Sequence, residues 1–168
     1  MSKAQQTTDM TPDQVTDRIW ELAKKIDICM FTTVEGDRAR ARPLSARVRQ
    51  EEHAIHFLVD IEGAKIAQVE NDPTVTLAWA DNGNYKYVTV SGRATVSNNR
   101  ALIKDLWEKT DRAWWDDEND PAIRVITVSP VEGELWDSPT KVVATVKMVA
   151  GAITGSKPEI GDNAKVRM

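Results

Sequence analysis

A chain of 168 residues that is 41% hydrophobic and 29% charged suits one domain with a sizeable core and is too apolar for disorder. A net charge of −4, with no Lys/Arg block beyond an alternating RARAR run, argues against general nucleic-acid binding, which needs a basic footprint. A single cysteine excludes an internal disulfide, two histidines beside it disfavour a His/Cys metal site, and no apolar run approaches the ~20 residues of a membrane span. The N-terminal MSKAQQTTDM lacks the apolar core of a signal peptide, so the expected location is cytoplasmic.

Thr11-Pro12-Asp13-Gln14 reads as a helix start, with a Thr cap, Pro at the first position and Gln three residues after the cap. Val15, Ile19, Leu22, Ala23 and Ile26 mark one apolar stripe of a helix ending near Ile26. The period then changes to two. Residues 28–34 form a strand, 35–37 a turn, 38–50 a second extended segment and 54–59 a third strand. A short helix with Lys65 in its first turn follows, and Asn71-Asp72-Pro73 breaks the chain before strand four at 74–80. Beyond the turn at 81–84, residues 85–97 form a long strand with Val88, Val90, Gly92, Ala94 and Val96 on one face. Asn98 or Asn99 caps a helix carrying Ala101, Leu102, Leu106 and Trp107. Residues 114–120 form a polar, aromatic-tipped loop, and 123–129 with 134–136 add at least one strand. Residues 141–152 read equally as strand or helix, and the Gly-, Pro- and charge-rich tail is expected to hug the surface or move. Six or seven strands with short connections predict a small antiparallel barrel with peripheral helices. No GxGxxG, P-loop or βαβ rhythm supports a dinucleotide or NTP fold.

Lys65 is the anomaly. The first helical turn carries exposed N–H groups and partial positive charge, so a cation there is disfavoured unless an anion sits with it. Either Lys65 is an ordinary surface lysine, or the turn before it is a phosphate seat. Arg40 and Arg42 offer a second choice. On an unbroken strand they share a face with Leu44, Ala46 and Val48 and must be paired or hold a ligand; if Pro43 marks a bulge, all are solvated. Neither His53 nor His56 has a triad partner, and a satisfied imidazole within the sheet suits His56 better than a catalytic base. The cluster Asp116, Asp117, Glu118 and Asp120 lacks the glycine and terminal Glu of a calcium loop and reads as solvated. Six of ten aromatic residues are Trp, a skew that suits interfaces and ring-shaped ligands as well as core.

The succession IDICMFTTVEGDRARARPLSARV, FLVDIEGAKIAQVENDPTVTLAWAD, YKYVTVSGRATVS and GELWDSPTKVV resembles the pyridoxamine 5′-phosphate oxidase-like split-barrel flavoproteins, most nearly the general stress protein branch. The resemblance covers roughly residues 12–168. It implies a mainly β fold, a six-stranded antiparallel split β-barrel that dimerises with one FMN in each of two clefts between subunits. By it, residues 1–10 would be flexible, 11–153 the flavin-binding domain and 154–168 a surface-bound or mobile tail. Arg42, Pro43 and Leu44 would line the isoalloxazine or ribityl group, with Arg42 near the pyrimidine edge stabilising the reduced flavin. Phe57, Leu58 and Val59 would pass beneath the flavin, Lys65 would hold the phosphate, and Tyr87 would face the cleft. Trp114, Trp115 and Trp136 would close over the ring from the partner subunit.

Two positions depart from the pattern. Val59 stands where a hydroxyl residue often ends the strand, and Gly63 where a Ser often precedes the lysine. Each missing hydrogen bond to the phosphate is worth about 1.5–3 kcal/mol. The function expected is FMN-dependent oxidoreduction of an unknown small substrate, with no catalytic acid or base assigned. The alternative is a non-catalytic module for flavin or another flat cofactor such as deazaflavin or haem. A third reading is a dimeric interaction protein that has lost its ligand.

Overall fold

Thr11 opens the first helix with a capping box: Gln14 N donates to Thr11 Oγ1 at 3.3 Å, and Thr11 N donates to Gln14 Oε1 at 2.9 Å. In this computed structural model, which describes residues 9–138, 148–153, 155 and 162–168, helix α1 runs over Pro12–Ile26. It buries Val15, Ile19, Trp20, Leu22 and Ala23 and lies against strands from across the sheet. Asp27 ends it in the left-handed region at φ 66°.

The strands are β1 (Ile28–Glu35), β2 (Arg38–Ser45), β3 (Arg47–Arg49), β4 (Ala54–Asp60), β5 (Thr74–Asp81), β6 (Lys86–Ser97), β7 (Ile123–Asp137) and β8 (Asp162–Arg167). Helix α2 (Ala64–Asn71) joins β4 to β5, and α3 (Arg100–Leu106) follows β6. All pairings are antiparallel, in the order β2-β1-β5-β6-β7-β4-β3, with β8 on β7. The two ends of that order, β2 and β3, are separated in the chain by Ala46 alone. The sheet must therefore curl back on itself, and its seam is closed by the chain rather than by a ladder.

The class is the expected barrel with peripheral helices, but the described residues contain eight strands rather than six. The segment expected as one extended run at 38–50 divides because the Ala46 N–H turns to Asp27, meeting its carbonyl at 3.3 Å and its Oδ1 at 3.2 Å. The eighth strand comes from the tail, where residues 162–167 pair with 132–137. Sequence segments 123–129 and 134–136 belong to one strand, β7, in which Val131 is the extra residue of a bulge between the pairs Gly92↔Pro130 and Ser91↔Glu132. Gly92 is required there: a Cβ would lie 2.5 Å from the Ser129 carbonyl oxygen. Residues 148–153 are helical; 139–147 and 1–8 lie outside the described residues.

Alternation sorts the side chains. Phe31, Phe57, Val59, Leu77, Trp79, Val88, Val90 and Ile126 fill the barrel, and Phe31 meets Phe57 edge to face at 5.1 Å. The outer face of β4 and β7 is covered by α3 through Ile103, Leu106, Ile123 and Val125, with Leu58, Trp107 and Trp115 packed on them. Among the described residues, Ile28, Met30 and Val34 on the outer face of β1 stay 40–52% exposed.

Candidate anion-binding site

The β1–β2 register runs without interruption from Ile28↔Ser45 to Glu35↔Arg38, so Pro43 makes no bulge. Arg40 and Arg42 therefore lie on the inward face, opposite Thr33 and the buried Phe31. Arg42 Nη1 donates to Thr33 Oγ1 at 3.0 Å and Nη2 to Gln68 Oε1 at 2.7 Å. The Thr33 hydroxyl donates to the same Gln68 oxygen at 2.6 Å. Gln68 Nε2 donates to Glu35 Oε1 at 3.2 Å, and Arg40 Nε donates to Glu35 Oε2 at 2.7 Å. Arg40 is thus neutralised by Glu35, whereas the described hydrogen-bond partners of Arg42 are uncharged. Burial lowers the Arg42 pKa, opposed by Glu35 and assisted by Arg40.

Lys65 is the second residue of α2, and Gly63 at its cap supplies no side-chain hydrogen bond to the first turn. A Cβ at Gly63 would meet the Lys65 ammonium, so the lysine occupies the space that a serine would take. The Lys65 pKa is lowered, first by burial and then by the charge of Arg42, with Asp60 opposing. Among the described residues neither Arg42 nor Lys65 forms an ion pair with a carboxylate, while the neighbouring Arg38 and Arg40 each do. Two repelling, partly buried cations, one of them in the first turn of a helix without a side-chain cap, are an arrangement that a bound anion relieves.

The other candidate residues are spread over the fold. Pro43 is exposed on the outer face opposite Met30, and Leu44 packs on the core. Phe57 and Val59 point into the barrel at 0% and 2% exposure, so a ligand beneath β4 could use only their backbone, while Leu58 faces α3. Tyr87 and Trp136 stand opposite one another at the ends of β6 and β7. Trp115 packs on Trp107 at 6.5 Å, and Trp114 is 79% exposed.

His56 is a satisfied sheet residue, Nδ1 2.9 Å from Thr127 Oγ1 and Nε2 3.2 Å from Glu52 Oε2. No group of three or more potential metal ligands is present among the described residues, and none of their helices is long and apolar enough to cross a membrane. A cleft of about 430 Å³ between α1, β3 and α3 holds Arg47 and Arg49, but Asp111 pairs with the first at 2.9 Å and Asp105 with the second at 2.9 Å. It offers no uncompensated arginine. Sequence reasoning missed Thr33 and Gln68, whose part depends on the register and on α2 placing Gln68 on the Lys65 side, three residues along.

The sequence profile described as pyridoxamine 5′-phosphate oxidase like matches residues 14–159. General stress protein 26 of Bacillus subtilis (strain 168) is 23% identical over 90 residues, 52% of this chain and 64% of that protein, so the match spans less than two thirds of the relative. A candidate general stress protein 26 from Jannaschia sp. CCS1 superposes with a TM-score of 0.76 at 20% identity, covering 94% of this chain and all (100%) of that one. The general stress FMN/FAD binding protein of Xanthomonas citri superposes with a TM-score of 0.66 at 20% identity, covering 74% of this chain and 92% of that one. At these identities the structural likenesses establish the fold.

Proposed function

Because this chain belongs to the pyridoxamine 5′-phosphate oxidase-like family, we propose that Lys65 holds the phosphate of FMN in a homodimeric, flavin-dependent oxidoreductase of the general stress type, and that Arg42, whose charge acts on Lys65, joins it there rather than at the pyrimidine edge of the ring. The observation that carries this reading is a pair of mutually repelling, partly buried cations without a carboxylate partner, Lys65 in the first turn of α2 and Arg42 on β2 bonded to Gln68. The residues present fit a phosphate despite Val59 and Gly63. Lys65 fills the space above Gly63, and Thr33 with Gln68 fixes the Arg42 fork, so Arg42 adds one cationic donor beside Lys65 where two hydroxyls are lost. A flavin, when bound, accepts and releases reducing equivalents; the chain orients it and excludes water.

The exposed Ile28, Met30 and Val34 on one face of β1 support a second copy as its cover, since apolar side chains exposed together mark an interface. Trp114, Trp115 and Trp136 are the residues proposed to reach the partner's flavin. In a visible-absorbance titration, Lys65→Ala and Arg42→Met each weaken FMN binding by about tenfold or more, from the 1.5–3 kcal/mol of a charged hydrogen bond. Unchanged affinity in both variants overturns the seat. Steady turnover of NADH or NADPH by the flavin-loaded dimer supports the oxidoreductase; flavin that binds without turnover makes the protein a carrier.

A further inference from the structure

We infer that Gln68 is a positioning residue for the anion site: it orients Arg42 and, as a neutral spacer, keeps the carboxylate of Glu35 from neutralising it. The inference rests on the phosphate seat proposed above and concerns how the seat keeps its charge.

The geometry is directional. Gln68 Oε1 accepts from Arg42 Nη2 at 2.7 Å and from the Thr33 hydroxyl at 2.6 Å, while Nε2 faces Glu35 at 3.2 Å. Thr33 Oγ1, having donated to Gln68, is free to accept from Arg42 Nη1 at 3.0 Å. Both guanidinium Nη atoms are therefore held by neutral oxygens, and the plane of the fork is fixed without loss of charge. Gln68 is 8% exposed and Thr33 is fully buried, so both acceptors sit away from competing water. Glu35 is the carboxylate nearest in this network, and its two oxygens are taken by Arg40 and Gln68. A glutamate at position 68 would reach the same guanidinium with a full negative charge and remove what an anion is attracted to. A methionine of similar volume would leave the charge but release the fork.

The test measures the affinities of FMN and riboflavin, which differ by the phosphate, for the full chain and for Gln68→Met and Gln68→Glu. The expected result is an FMN affinity at least about tenfold weaker in Gln68→Met and weaker still in Gln68→Glu, with riboflavin affinity unchanged. A Gln68→Glu variant that keeps the wild-type preference for FMN overturns the spacer role while leaving the seat intact. Equal weakening of FMN and riboflavin shows a merely structural residue and also overturns it. A wild-type protein with no preference for FMN overturns the seat itself, and the role of Gln68 with it. Should both variants fail to fold, Thr33→Val removes one arm of the fork: lost FMN preference supports the arrangement, and retained preference refutes it.

Discussion

Replacing Asp111 with Ala breaks the best-buried ion pair among the described residues. The Arg47 side chain is 9% exposed and that of Asp111 10%; Nη2 meets the two carboxylate oxygens at 2.9 and 3.1 Å. Asp111 Oδ2 also accepts from the Glu108 N–H at 2.8 Å, closing the turn that leads to Trp114. Removing one partner of a buried pair costs about 3–5 kcal/mol, because the remaining charge stays desolvated. Arg47 keeps the Leu106 carbonyl at 3.2 Å, the Ser45 hydroxyl and the half-exposed Glu108 at 3.3 Å, which places the loss near the lower figure. Set against a total of about 5–15 kcal/mol for a typical domain, that is a large fraction. Urea unfolding followed by Trp fluorescence reads it as a lower midpoint at unchanged slope. Arg47→Met with Asp111→Leu removes both charges and recovers most of the loss. A single Asp111→Ala variant that costs under about 1 kcal/mol, the range of an exposed pair, refutes the reasoning.

Burial raises the Asp137 pKa, but hydrogen bonds from Arg18 and Lys86 outweigh it and hold the carboxyl below its usual value. A depressed folded pKa gives stability that is present above the unfolded value of about 3.9 and is lost as pH falls through the folded one. Asp137→Asn should therefore flatten the acid limb of the stability curve; an unaltered limb contradicts the network. Gly92→Ala places a methyl against the Ser129 carbonyl and the Val128 side chain, at 2.5 and 2.9 Å, and is expected to destabilise by about 1–3 kcal/mol in thermal unfolding. A neutral substitution there would show that the bulge opens freely. Burial, with Asp27 nearby, pushes the Cys29 thiol up to about 12, so it should be silent to a thiol reagent at neutral pH until the protein unfolds. Reaction in the native state would contradict its placement.

Much of the fold was legible because local and tertiary signals agree. The Thr11 capping box and the alternation from Val88 to Ala94 mark α1 and β6 closely. The break at Ala46 was not legible, since it is imposed by Asp27, a left-handed helix cap nineteen positions away that takes its N–H. Neither was β8: a charged tail becomes a strand because β7 offers it an edge. At the candidate site, Lys65 stood out in the sequence by lying at the end of a helix dipole that disfavours a cation. The arginines allowed two readings, and only the unbroken β1–β2 register decides that Arg42 faces inward. Gln68 left no signal, being one polar residue between Ile66 and Val69 until α2 is docked on β1.

The most direct test of the phosphate seat is calorimetric titration of the ligand-free wild-type protein with FMN and riboflavin in parallel. Two cationic donors at about 1.5–3 kcal/mol each predict FMN binding at least about a hundredfold tighter. Equal affinity for the two ligands would mean that Arg42 and Lys65 do not hold a phosphate.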